Sequence, residues 1–273
     1  MIRYLLARLV SLGASLAVAS LVIFVMLNIV PGDPAAYMLG MNASPDTVAA
    51  LRTELGLDAG PTERYLDWIA GMARGDFGTS YTYRAPVAKM IADRLWVSLP
   101  LALYALALST LVAFPAGILA AARRGRATDA TVMGVTQLGI AVPNFWFAIL
   151  LILLFAVKLQ WVGAGGFPGW REEDGGGLWD GLAALLLPAL SLAVVQASVL
   201  ARWTRSAVLD VMREDFVRTA RAKGLSRRQA LWRHVLRNAM IPVLTIIGLQ
   251  FAFLISGTIV VEQVFVLPGI GRL

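Results

Sequence analysis

Five stretches of this chain carry no charged residue at all: residues 9–30, 95–122, 130–157, 181–201 and 238–261. The shortest has 21 residues, and about 20 predominantly apolar residues suffice to take an α-helix across the hydrocarbon core of a bilayer. In lipid the backbone amides of a spanning segment must be satisfied within a helix or a closed barrel, and uninterrupted apolar blocks of this length call for helices. Composition agrees. Hydrophobic residues make up 58% of the 273 positions and charged residues only 15%, against about a quarter charged in a soluble domain. A soluble enzyme is excluded, and the expected fold class is all-α, a polytopic transmembrane helical bundle.

The N-terminal block needs a separate check. Arg3 and Arg8 followed by an apolar run, with Ala17-Val18-Ala19 inside it, imitate a secretion signal. The run continues to Val30, beyond the length of a signal core, so an uncleaved first span is expected.

Several chemistries are absent from the sequence. With no cysteine there is no disulfide framework, thiol nucleophile or thiolate metal site. The single histidine, His234, cannot form a histidine cluster, and no G-x-x-x-x-G-K-[ST] phosphate loop occurs. No catalytic, cofactor-binding or metal-binding residue is expected on this chain.

Basic residues set the orientation. With the N-terminus in the cytoplasm, the inside segments 1–8, 123–129 and 202–237 hold fifteen Lys and Arg against four acidic residues. The outside segments 31–94, 158–180 and 262–273 hold nine against thirteen. The split of +11 inside and −4 outside accounts for the overall +7 and follows the positive-inside bias. The basic pI near 10.2 is thereby explained by loops facing anionic lipid heads. No basic stripe with interleaved aromatics suggests nucleic acid.

The loops are unequal. Segment 31–94 opens on Pro31-Gly32-Asp33-Pro34, which ends the first helix. Ser44-Pro45-Asp46 reads as a helix start, and residues 61–73 read as a helix with Leu66, Ile69 and Ala70 on one face. This segment is read equally well as an external cap touching a cargo-delivering partner or as a structural lid. Loop 160–180 carries seven glycines with Trp161, Trp170 and Trp179, which reads as flexible linkage with tryptophans anchored at the headgroup level.

Segment 202–237 is longer than a connection between spans requires, and its pattern is helix, turn, helix. Val208, Val211, Met212 and Phe216 lead to Thr219, Ala220 and Ala222; Gly224 supplies a left-handed helix end; Ser226 caps a second helix at Arg227-Arg228-Gln229. A small-residue face around Ala220 permits close approach by a partner. A basic amphipathic segment lying on the membrane fits equally well. Pro100, Pro115, Pro143, Pro188 and Pro242 interrupt the apolar blocks, which helices in membranes tolerate when neighbours satisfy the freed carbonyls. The near absence of ionisable groups within the blocks argues against a carrier driven by its own proton or ion relay.

Taken together, these motifs resemble the permease subunits of bacterial ABC importers, and most nearly the first permease of dipeptide, oligopeptide and nickel systems. The resemblance covers essentially the whole chain. It rests on Pro31-Gly32-Asp33-Pro34-Ala35 after the first span, Gly75-Asp76-Phe77-Gly78-Thr79-Ser80, Val142-Pro143-Asn144-Phe145-Trp146, and Val264-Phe265 with Pro268-Gly269-Ile270-Gly271. Its most specific block runs from Asp215-Phe216-Val217-Arg218 through Thr219-Ala220-Arg221-Ala222-Lys223-Gly224, followed by Arg237-Asn238-Ala239-Met240-Ile241-Pro242. In the wider family this is the E-A-A-x-x-x-G loop, with Arg218-Thr219-Ala220 here in place of Glu-Ala-Ala. The family's downstream I-x-L-P falls on His234-Val235-Leu236-Arg237, so its first proline is missing, and Pro242 fits the later one.

The resemblance implies a type I ABC importer permease in a bacterial inner membrane. Its divisions would be 1–30 (first span), 31–94 (external cap) and 95–273 (core permease, with coupling loop 202–237). It also implies a coupling helix in which Asp215, Arg218, Thr219, Ala220, Ala222, Lys223, Gly224 and Pro242 serve contact with an ATPase. His234 would be structural or interfacial. The implied partners are a second homologous permease, two ATPase subunits holding ATP and Mg, and an external solute-binding protein. Peptides are the expected cargo. Nickel, glutathione and oligosaccharides are alternatives, and an ATPase-independent channel or scaffold is the rival class. Permeases of this kind continue through a further external stretch and a sixth span beyond the point where this sequence stops.

Overall fold

The structure is a computed structural model that describes residues 2–29, 32–40, 44–80 and 82–273; Val30 and Pro31, at the close of the first apolar block, lie outside them. It divides into two compact units, Met1–Ala92 and Asp93–Leu273.

In the first unit, α1 (Ile2–Ile29) is apolar along its whole length and buries none of its residues within the chain, as suits a helix whose solvent is lipid. Three short helices follow: α2 (Pro34–Leu39), α3 (Pro45–Glu54) and α4 (Pro61–Ala73). Each has proline in its first turn, where the missing N–H has no intrahelical partner to lose. Ser44 caps α3 by accepting from the Thr47 amide, as expected, and Asp33 caps α2 by accepting from that of Ala35. Arg52 bridges Asp33 at 2.8 Å and Asp58 at 3.2 Å. Its hydrogen bond is the main cause holding the Asp33 carboxyl below the usual carboxylate range.

On α4 the packed face differs from the expected one. Tyr65 and Trp68 meet Phe24 of α1 at ring separations of 5.3 and 6.1 Å, and the Tyr65 hydroxyl lies 2.9 Å from Ser20 Oγ. Leu66 is 60% exposed. Two aromatic rings with a polar handle bury more area and satisfy a hydroxyl at once, which outweighs one leucine.

The helix α5 (Val87–Ala122) starts in the last residues of the first unit and continues as the leading helix of the second. It is followed by α6 (Ala127–Ala141), then α7 (Asn144–Leu151), prolonged by the π-helical Ile152–Lys158, and α8 (Leu178–Val211). The short α9 (Asp215–Ala222) and α10 (Arg227–Ala230) come next; a π-helical stretch, Leu231–Val235, joins α10 to α11 (Leu236–Val264). Among the described residues, four helices are long and apolar enough to cross a membrane, and one bent pair makes a fifth if it is taken as a single span.

That bent pair is α6 with α7 and its extension, turned by 97° where one helical block over 130–157 was expected. Val142 is extended (φ −89°, ψ 122°), the conformation that a following proline imposes, and Pro143 has no N–H to continue the ladder. Pro100, Pro115, Pro188 and Pro242 stay inside unbroken helices. The pair still joins the two ends of its unit. Asp129 of α6 binds Arg205 near the end of α8, whereas Trp161 after the π-helical stretch lines one cavity with Asp180 and Ala183 near the start of α8.

The hub is α8, against which α6, α7 and α11 pack. Three apolar clusters succeed one another along it, containing Leu185 and Leu192, then Leu200, then Val208 and Leu209. Small residues bring the backbones together, as in membrane packing generally. A Cβ on Gly117 of α5 would sit 2.7 Å from the Ala201 carbonyl oxygen, and one on Gly139 of α6 would collide with Ser198 Oγ.

The end bearing the tryptophans departs from expectation twice. Glu262 lies in the last turn of α11 rather than in a tail, and it is completely buried. Its Oε2 accepts from the Gly271 N–H at 2.7 Å, while Ile270 N–H donates to Ser98 Oγ at 2.9 Å. Trp161 and Trp179 are exposed, but Trp170 is a packing residue: its indole N–H donates to the Trp96 carbonyl and its ring meets Phe167 at 5.0 Å.

Candidate functional site: the basic end of the helical bundle

Residues 202–237 are not a loop. The helix α8 continues ten residues past the apolar block, to Val211, and a continuous helix starts at Arg227. Only the turns 212–214 and 223–226 are non-helical, with α9 between them. Interior backbone without helical partners would be costly, and extending the span helices removes that cost.

The turn after α9 is a Schellman motif. Leu225 N–H reaches the Ala220 carbonyl and Gly224 N–H the Arg221 carbonyl, with Gly224 at φ +96°. Ser226 then starts α10 with a complete capping box: its hydroxyl accepts from the Gln229 amide and the Gln229 side chain accepts from the Ser226 N–H. Both terminators read from the sequence stand where expected. Together they fix the direction in which α9 and α10 meet.

The face of α9 turned inward is the small and apolar one. Val217 and Ala220 are buried with Ala121 of α5, Val208 and Leu209 of α8, Val235 of the π-helical stretch and Ala239 of α11. The small-residue face around Ala220 is therefore used within the chain: Val217 and Ala220, three residues apart, share the stripe that docks α9 on its own bundle. Outward face Asp215, Arg218, Thr219, Ala222, Lys223 and Gly224, all exposed. Arg218 and Asp215 form a 3.2 Å pair that is open to water, and Thr219 Oγ1 donates to the Asp215 carbonyl. Pro242 is remote from this surface. It lies inside α11, beside Trp203 and Val243.

Sequence reasoning missed the fastening beneath. Arg205 grips Asp129 with two hydrogen bonds, 2.6 and 2.8 Å, and the Gly125 N–H donates to the same carboxylate at 3.0 Å. Asp129 is buried. The pair ties α6 to α8 seventy-six residues away, a separation that no local pattern reveals. His234 sits half-buried in the π-helical stretch, its carbonyl accepting from Asn238 Nδ2. Among the described residues no group of three or more His, Cys, Asp or Glu could hold a metal.

Family models match along the chain. Residues 113–273 match the binding-protein-dependent transport system inner membrane component, and residues 1–102 match the N-terminal part of such membrane components. The chain belongs to this family. The permease resembles, at 42% identity over 94% of its length and 80% of the relative, a protein of Brucella abortus (strain 2308) that is named for a peptide transport system. It is 39% identical over its whole length, and 85% of the relative, to the glutathione transport system permease protein GsiC of Escherichia coli (strain K12). Among solved structures it shares its fold with an amino acid ABC transporter crystallised with histidines. That match has a TM-score of 0.50 and 15% identity, and covers 68% of this chain and 76% of the other. The protein is thus a permease subunit of an ABC importer of the peptide family, a multi-pass inner-membrane component that works with other transporter subunits.

Proposed function

We propose that this permease forms half of the pathway by which short peptides enter the cell, and that α9, the Gly224 turn and α10 receive the stroke of an ATPase. In this reading the basic end is cytoplasmic, and so is the N-terminus. The other half of the pathway is a second homologous permease. Two separate ATPase subunits bind and hydrolyse ATP with Mg, and an external binding protein delivers the solute. The permease makes and breaks no covalent bond.

One observation carries the mechanism. An element exposing Arg218, Thr219, Lys223 and Gly224 is rooted through Val217 and Ala220 in a cluster shared by α5, α8 and the start of α11. A force on the exposed face therefore reaches three span helices through packed side chains, without an intervening flexible loop. Closure of the ATPases on ATP would favour one packing of the spans and release after hydrolysis the other. That is a shift between two states set by differential contact at α9 and α10.

Peptide cargo is supported by the name of the Brucella relative, assigned to a peptide transport system; the Escherichia coli relative, named for glutathione, favours that alternative. The test is ATPase activity of the reconstituted complex with its binding protein, screened against di- to pentapeptides, glutathione, nickel and oligosaccharides. Stimulation by peptides is the expected result. Stimulation by glutathione, nickel or sugars alone would move the permease to another cargo, and turnover insensitive to every subunit combination would remove the ATP-driven reading.

A further inference from the structure

A groove of about 1200 Å³ opens at the basic end between α5 and the helix that runs from α10 into α11. Its walls are apolar: Phe114, Ile118 and Leu119 on one side, Leu231, Leu236 and Met240 on the other. Four arginines, Arg123, Arg227, Arg228 and Arg237, line it as well, and no aspartate or glutamate does. All four are exposed, and among the described residues none has an ion-pair partner; Arg123 has a long 3.4 Å bond to Thr128 Oγ1. Trp232, 60% exposed, stands at the same site, where an indole suits the boundary between hydrocarbon and headgroup.

We infer that this groove is a specific site for one anionic phospholipid of the inner leaflet. Its acyl chains would lie along Phe114, Ile118 and Met240, and its phosphate would be held by the four arginines. The match is of charge and of shape together. An inorganic phosphate would use the guanidiniums and leave the apolar walls in water, and a zwitterionic lipid would use the walls and leave most of the positive charge unanswered. Basic pockets between membrane helices at the cytoplasmic side recognise acidic headgroups in this way, and arginine forks suit phosphate oxygens. Because Arg227 and Arg228 form the first turn of α10, the lipid would rest directly against the proposed coupling element. The inference relies on the cytoplasmic placement of this end.

The test uses the assembled, delipidated transporter in detergent, studied by native mass spectrometry while phosphatidylglycerol or phosphatidylcholine is added. The wild-type complex should retain phosphatidylglycerol in preference to phosphatidylcholine. The combined Arg123→Gln, Arg227→Gln, Arg228→Gln, Arg237→Gln variant should lose that preference, with affinity falling on the order of tenfold or more. Ile118→Trp, which narrows the apolar wall and leaves every arginine in place, should also reduce retention and serves if the quadruple variant does not assemble. Equal retention of both lipids, or unchanged retention in either assembled variant, would overturn the site. So would displacement by millimolar inorganic phosphate, which would mark a simple anion site. Loss of the lipid whenever the ATPases are bound would mark the groove as a protein interface. The same spectra count the ATPase subunits, so a failure of assembly is told apart from a failure to hold lipid.

Discussion

The two ends of the 93–273 unit are held by opposite means. At the basic end the fastening is between helices: the Arg205–Asp129 fork, and α9 seated by Val217 and Ala220. Its charged side chains are left facing outward. At the tryptophan end the fastening is made by backbone. Gly165 runs against the Phe265 carbonyl, Gly166 N–H donates to it, and the 269–271 turn wraps around the buried Glu262. Side chains are exposed at both ends, the charged ones of α9 at the basic end and Trp161 and Trp179 at the other; what differs is the fastening beneath them.

Four substitutions would break or sharpen this contrast. The largest effect is expected for Asp129→Ala, which leaves the Arg205 guanidinium without its carboxylate in a half-buried position. A loss of roughly 2–3 kcal/mol in thermal unfolding in detergent is expected, largely restored when Arg205→Ala is added. If the single variant unfolds like wild type, the basic end is not clamped there. Next comes Glu262→Ala, which strips Gly271 N–H of its acceptor and opens a cavity, at a cost of about 2 kcal/mol. Glu262→Gln, which keeps an acceptor oxygen, should cost clearly less, and equal losses would mean that a neutral acceptor oxygen does not suffice to hold the turn.

Gly224→Val should lower stability by about 1–2 kcal/mol, the strain of a positive φ in a β-branched residue. Nothing lies within 4 Å of an added Cβ, so backbone strain and not a clash at that carbon sets the cost; insertion is expected to persist while ATP-driven uptake collapses. Normal uptake by this variant would remove the docking role. Smallest in stability is Arg218→Ala, since its pair with Asp215 is open to water. No shift in unfolding temperature is expected, but a weaker hold on the ATPase subunits is; unchanged assembly would relieve Arg218 of any contact.

Much of this was legible in the sequence wherever a local rule applied. The absence of charge marks the spans, because a bilayer penalises every ionised group. Ser44, Gly224 and Ser226 announce helix ends, because a cap is a contact between residues three to five apart. What stayed hidden is what joins distant segments or depends on direction. Ser198 is the reason Gly139 carries no side chain, and Trp96 is the partner of Trp170; neither partnership has any signal in the local pattern. The inward turn of Ala220 was also invisible, since a small residue suits a partner's backbone and the chain's own neighbours alike. Of the five prolines, only Pro143 breaks its helix, and the sequence alone does not set it apart from Pro188.

The helix that begins at Arg227 does not stop until Val264, a run of 38 residues. At 1.5 Å per residue this is a rod about 57 Å long, with the capped turn after α9 at one tip and Glu262 near the other. The two ends contrasted above are thus the grip and the tip of one shaft, and its π-helical stretch, Leu231–Val235, is where a helix yields most readily. In the proposed mechanism a lateral push on the grip would divide between bending at this stretch and tilting the rest of the shaft, whose far tip is anchored where Gly271 N–H donates to the buried Glu262.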